Sequence, residues 1–165
     1  MFDKREINFS TLFGLGFLTK FPGTLASLIT LIIAYILILK TNFLFYIIFL
    51  IFLIVFGYFS TSKYTKYKNK DDPSEVVIDE VIGQLISLIF LPYLIFYNKI
   101  VFETFDIIIY QIMSFIFFRF FDIVKPWPIS FFDKKKGTFW VLFDDILAGI
   151  ISLLISFLIL GVIII

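Results

Sequence analysis

The 165-residue chain contains no cysteine and no histidine. Without thiols it can form no disulfide, thiolate zinc site or iron–sulfur cluster. Without imidazoles it has no histidine base or nucleophile, which excludes Cys- and His-based phosphatases and the Ser–His–Asp triad. Charge is also scarce: Asp, Glu, Lys and Arg make up 16% of residues, against about 25% in soluble domains. Any chemistry must use the remaining polar side chains, the backbone or a hard metal ion. What is abundant is apolar: 61% of residues are hydrophobic and mean hydropathy is +1.04. Soluble domains are about 45–50% apolar, so this chain is too apolar to be one. Its length suggests a single domain, and a net charge of +1 gives no sign of a nucleic-acid partner.

The apolar residues fall into segments at about 25–39, 43–59, 76–97, 105–124 and 139–163. The stretch Phe43 to Phe59 carries no charge; as a helix rising about 1.5 Å per residue it crosses a thin bilayer core. The expected fold is therefore all-α: a single membrane-embedded helical bundle of about four to five spans. Thr24 is the expected N-cap of the first helix, and Pro92 the expected kink of the third. No small-residue cleavage site follows a short apolar run, so the N-terminal segment does not read as a signal peptide. When alternate loops are placed on alternate sides, 12 of the 14 Lys and Arg residues share one side; only Lys40 and Lys99 lie on the other. The positive-inside rule makes the basic side cytoplasmic, with the N-terminus.

Carboxylates cluster on the same side. Asp79 and Glu80 open the third apolar segment, Asp122 closes the fourth, and Asp144 and Asp145 open the fifth. An Asp at the centre of a spanning helix costs about 2.5–3.5 kcal/mol, less near the interface. A shared divalent cation would offset that cost and the like-charge repulsion. At helical spacing Asp72, Glu75, Asp79 and Gly83 share a face, as do Arg119, Asp122 and Lys125. Asp145 and Gly149 stack, leaving room for a ligand or a neighbouring helix. The run Gly14-Leu-Gly16 through Lys20-Phe-Pro22-Gly23-Thr24 opens the first helix and suits a phosphate. An all-oxygen ligand set points to Mg²⁺ or Mn²⁺. With a cationic rim at a membrane surface, this suggests metal-dependent phosphoester chemistry on a phospholipid.

Several of these motifs resemble the phosphatidylglycerophosphatase A family. They are Gly14-x-Gly16 with Pro22-Gly23-Thr24, Asp79-Glu80-x-x-Gly83, Phe118-Arg119-x-x-Asp122-x-x-Lys125-Pro126-Trp127-Pro128-Ile129, and Asp144-Asp145-x-x-Ala148-Gly149. The resemblance spans about residues 10–152. It implies an all-α bundle at the bacterial inner membrane that hydrolyses phosphatidylglycerophosphate to phosphatidylglycerol and phosphate in phospholipid biosynthesis, using Mg²⁺. Two positions depart from the family pattern: Thr19 replaces a usual proline, and Gly137 is followed by Thr138, Phe139 and Trp140 where the family has a glycine-rich turn.

The expected site places one or two Mg²⁺ among Asp79, Glu80, Asp122, Asp144 and Asp145, where an ion would neutralise phosphate oxygens and activate water. Glu80 is the first choice of proton acceptor. Arg119 and Lys125 would stabilise developing charge, and Lys20, Gly23 and Thr24 would hold the substrate. Asp133, among Lys134 to Lys136, is expected to have no role. An Asp nucleophile stays open, although the DxDx[TV] pattern that would favour it is absent. A small ion-coupled transporter or channel subunit is the alternative, since intramembrane carboxylates also mark ion paths. It would require acidic groups near mid-bilayer and openings on both sides.

Overall fold

The computed structural model describes residues 9–97 and 102–164, with side chains to residue 159. Lys4, Arg5 and Lys99, which contribute to the charge asymmetry, lie outside the described residues. Among those described there is no strand. The helices are α1 (Pro22–Lys40), α2 (Phe43–Lys68), α3 (Ile78–Ser87), α4 (Phe90–Tyr97), α5 (Thr104–Val124), the short α6 (Ile129–Asp133) and α7 (Thr138–Ile164). Of these, α1, α2, α5 and α7 are each long and apolar enough to cross a membrane. The pair α3–α4, bent by 42° at its break, is long and apolar enough only when taken together, as a broken span or a re-entrant loop, which makes four to five segments in all.

The helix ends follow local chemistry. Helix α1 begins at Pro22 with no side-chain cap, so Thr24 lies inside the first turn and is not the N-cap. Proline suits that position because its fixed φ is helical and its missing N–H needs no partner there. Asn42 caps α2 by accepting from the Phe45 backbone N–H at 2.8 Å. Asp106 accepts from the Glu103 backbone N–H at 3.1 Å and closes the start of α5. Lys125 ends α5 in a left-handed conformation, φ 45°, immediately before Pro126.

The bend between α3 and α4 falls at Leu88 and Ile89, not at Pro92. Pro92 is the third residue of α4, where a helix has no internal partner for an N–H in any case. Polar side chains satisfy the freed groups at the break: the Tyr46 hydroxyl donates to the Leu85 carbonyl at 2.7 Å, and the Ser87 hydroxyl to that of Gln84 at 2.7 Å. Ser87 and Ser114 share a further hydrogen bond of 2.7 Å. In hydrocarbon an interrupted helix is tolerated only where such groups find partners inside the protein.

The core centres on α3, whose residues are almost all buried. Helix α7 packs closely on it through two glycines. A Cβ on Gly149 would collide with the Gly83 carbonyl oxygen, and one on Gly83 would lie 2.6 Å from the Asp145 carbonyl oxygen. The Asp145–Gly149 stack therefore accommodates a neighbouring helix. Outward faces of the long helices remain apolar, as at Ile32, Leu44 and Leu154.

Candidate active site

A cavity of about 540 Å³ opens at one end of the bundle. Its walls come from the start of α1, the loop before α3 with α3's first turn, the end of α5, the α6–α7 connector and the start of α7. All the charged residues proposed from sequence line it: Lys20, Asp79, Glu80, Arg119, Asp122, Lys125, Asp144 and Asp145, together with Gly23 and Thr24. Gly14 and Gly16 do not belong to this wall. Gly14 makes a turn with φ 96°, and the missing side chain of Gly16 admits the Glu75 carbonyl. Gly16 thus packs its loop against the loop before α3, while Gly14 serves its own turn.

The Gly83–Gly149 crossing brings Asp79 and Glu80 on α3 against Asp145 on α7. One carboxylate oxygen from each lies within 4.8 Å of the others. Asp79 and Asp145 are buried, and Glu80 Oε2 is buried with no hydrogen-bond partner. Gly23 makes room on the other side, since a Cβ there would collide with Glu80 Oε1 and lie 3.2 Å from an Arg119 terminal nitrogen. Two buried carboxylates and a half-buried third in mutual reach, the third with an orphaned oxygen, form a set that can hold a metal ion.

The other two acidic residues face cations. Asp122 Oδ2 accepts from Arg119 at 2.5 Å, while Arg119 Nε stays buried and unpartnered. Asp144 Oδ2 accepts from Lys125 Nζ at 2.6 Å, leaving its Oδ1 without a partner. The predicted stripe of Arg119, Asp122 and Lys125 is broken, because the left-handed turn at Lys125 directs its amine elsewhere. That amine also bonds Asp133, which lines the cavity. Asp133, expected to be idle among its lysines, is thus in contact with Lys125 at the cavity wall. Burial works against the charge on Lys125, but the bonds to Asp133 and Asp144 outweigh it and push its ionisation upward.

Glu75 does not share a helical face with Asp79, because α3 starts only at Ile78. It accepts from the Tyr64 hydroxyl at 2.9 Å and pairs with Lys68 at 3.0 Å. Burial raises its carboxyl, but Lys68, a backbone N–H and Tyr64 together hold it below the ordinary range. The connector is fixed by an aromatic cage, with Lys135 Nζ 4.0 Å from the Trp140 ring centroid and 4.5 Å from that of Phe131.

The chain is similar to several named proteins over most of its length. It is 32% identical to a Haemophilus influenzae protein named phosphatidylglycerophosphatase A, with 88% of this chain and 82% of that protein covered. An Escherichia coli protein of the same name is 31% identical, with 85% and 74% covered. A Bacteroides thetaiotaomicron protein named "Putative phosphatidylinositol-3-phosphatase" is 34% identical, with 87% and 86% covered. No solved structure matches the chain. The family model for phosphatidylglycerophosphatase A matches residues 8–160, and the chain belongs to that family.

Proposed function

We propose that this chain is a Mg²⁺-dependent lipid phosphatase that hydrolyses phosphatidylglycerophosphate to phosphatidylglycerol and phosphate in phospholipid biosynthesis. The observation that carries this is a pair of orphans lining one cavity. Glu80 Oε2 sits in an acidic cluster in need of a cation, and Arg119 Nε is a buried donor in need of an anion. A divalent ion and a phosphate would together satisfy both.

Asp79, Glu80 and Asp145 would hold the ion, which when bound supplies charge neutralisation at the phosphate and an activated water. Arg119, steadied by Asp122, offers its free Nε–H to a phosphoryl oxygen. The Lys125 ammonium, held at the cavity by Asp133 and Asp144, adds positive charge where negative charge builds up. Glu80, through the carboxylate oxygen that the ion leaves free, takes the proton from the attacking water. Asp144 Oδ1 is also an unpartnered carboxylate oxygen, but the ammonium bonded to its sister oxygen makes it a weaker base. Glu80 returns that proton to the glycerol oxygen as its P–O bond breaks, which leaves the lipid alcohol, and phosphate leaves toward the aqueous side.

We place the chain as one domain in the bacterial inner membrane, with the N-terminus and the cavity cytoplasmic. The distribution of basic residues supports that orientation. An ion-coupled transporter is less well supported, because the acidic groups come from helix ends at one end of the bundle. The Bacteroides relative's name makes a phosphorylated inositol lipid the second substrate to test. Phosphate release by purified protein from phosphatidylglycerophosphate, phosphatidylinositol 3-phosphate and phosphatidic acid, with and without Mg²⁺, tests the assignment. Mg²⁺-dependent release fastest from phosphatidylglycerophosphate is expected; release from none of the three would refute it.

A further inference from the structure

Two apolar residues of the cavity wall are also largely open to the outside: Phe21 is 75% exposed and Ile123 is 67% exposed. Phe21 immediately precedes α1, and Ile123 is the penultimate residue of α5. Each ends an exposed apolar stripe at helical spacing. On α1 the stripe runs through Leu28, Ile32 and Ile36 to Leu39; on α5 it runs through Ile112, Ile116 and Phe120. These are the faces that a bilayer would cover. Both lipid-facing surfaces therefore lead into the cavity that holds the carboxylates. Charge changes sharply at the same place. Lys20 adjoins Phe21, and Arg119 lies one helical turn before Ile123; both basic residues line the cavity.

We propose that Phe21 and Ile123 are the two lips of a lateral portal through which the phospholipid reaches the site from the leaflet. Its acyl chains stay against the α1 and α5 stripes while the phosphate passes inward to Arg119. The occupant is a diacyl lipid because the surface pairs a long apolar track with a cationic end, as a phospholipid pairs its tails with its head group. A water-soluble phosphomonoester would have no use for the track. Phe21 and Ile123 are thus positioning residues that select for acyl chains, a role that rests on the phosphatase function proposed above.

The test compares kcat/KM for a dioleoyl substrate in vesicles with that for its water-soluble dihexanoyl analogue. The ratio of the two is expected to fall about tenfold or more in Phe21→Ser and in Ile123→Ser, since each removes apolar contact with the chains. Ile51→Ser, at an exposed position on α2 away from the cavity, is expected to keep the wild-type ratio. As the chain has no native cysteine, Phe21→Cys labelled with a bulky maleimide offers a second block of the portal, and the same fall is expected on labelling. Unchanged ratios in the two serine variants and the labelled protein would overturn the portal alone. If the unmodified protein releases phosphate from neither substrate, the phosphatase function falls and the portal with it.

Discussion

The Gly83 carbonyl oxygen occupies the place where a side chain on Gly149 would begin. This contact between α3 and α7 sets the spacing of the acidic cluster, because Asp79 and Glu80 lie one turn before the first glycine and Asp145 one turn before the second. Gly149→Ala must push backbone against backbone. It is expected to cost about 1–3 kcal/mol of stability and to lower phosphate release by moving Asp145 away from Glu80. Gly57→Ala is the comparison, since the three atoms nearest a Cβ there belong to the Ile78 and Ile82 side chains, at 3.1 Å or more. Thermal unfolding and turnover of the two variants should show the larger loss at Gly149.

Lys125 and Asp133 are expected to behave as a unit. Lys125→Ala should reduce turnover by about 10²–10³, as for loss of one transition-state donor. Asp133→Ala should reduce it less, because Asp144 still holds the amine. In the Lys125→Ala background, Asp133→Ala should have almost no further effect on kcat, the non-additivity expected of residues in contact. Independent, multiplying effects in that double-mutant cycle would separate Asp133 from the site.

The Glu75 carboxyl is held below its unfolded value by Lys68 and Tyr64. A depressed carboxylate adds stability at pH above its unfolded pKa, about 4.3, and loses that contribution as pH falls through the folded value. Melting temperature should therefore fall between about pH 5 and pH 3 more steeply in the wild type than in Glu75→Gln. Equal slopes would remove Glu75 from the acid response.

Orientation can be tested with reporters. One fused after Lys70 or Lys136 should be cytoplasmic, and one after Lys40 external. The opposite pattern would put the cavity on the side away from a lipid made in the cytoplasm.

The helical bundle and the acidic residues were legible in the sequence, since long apolar runs and carboxylates inside them are both rare in soluble chains. Partner choice was less legible. Helical spacing puts Lys125 on the Arg119–Asp122 stripe, but a left-handed residue at the helix end sends its amine to Asp133 and Asp144. Local pattern carries no signal for such long-range pairs. Pro92 misled for a different reason: in the first turn of a helix proline breaks nothing, and the bend falls just before that turn, where Tyr46, Ser87 and Ser114, two of them on other helices, supply side-chain hydrogen bonds. Asp79, Glu80 and Asp145 came together through Gly83 and Gly149. Those glycines were visible in the sequence, but their mutual contact was not.

The central claim is that Asp79, Glu80 and Asp145 hold the divalent cation that phosphate release requires. The most direct measurement is phosphate release from phosphatidylglycerophosphate by wild type and Asp145→Asn in EDTA and across a Mg²⁺ titration, with the melting temperature of each followed in parallel. The wild type should be inactive in EDTA, regain activity with Mg²⁺ and gain thermal stability as the ion binds. Asp145→Asn should stay inactive at every Mg²⁺ concentration, and should melt no lower than wild type in EDTA because one of three repelling charges is gone. Near-normal Mg²⁺-dependent release by Asp145→Asn, or full wild-type activity in EDTA, would contradict the account.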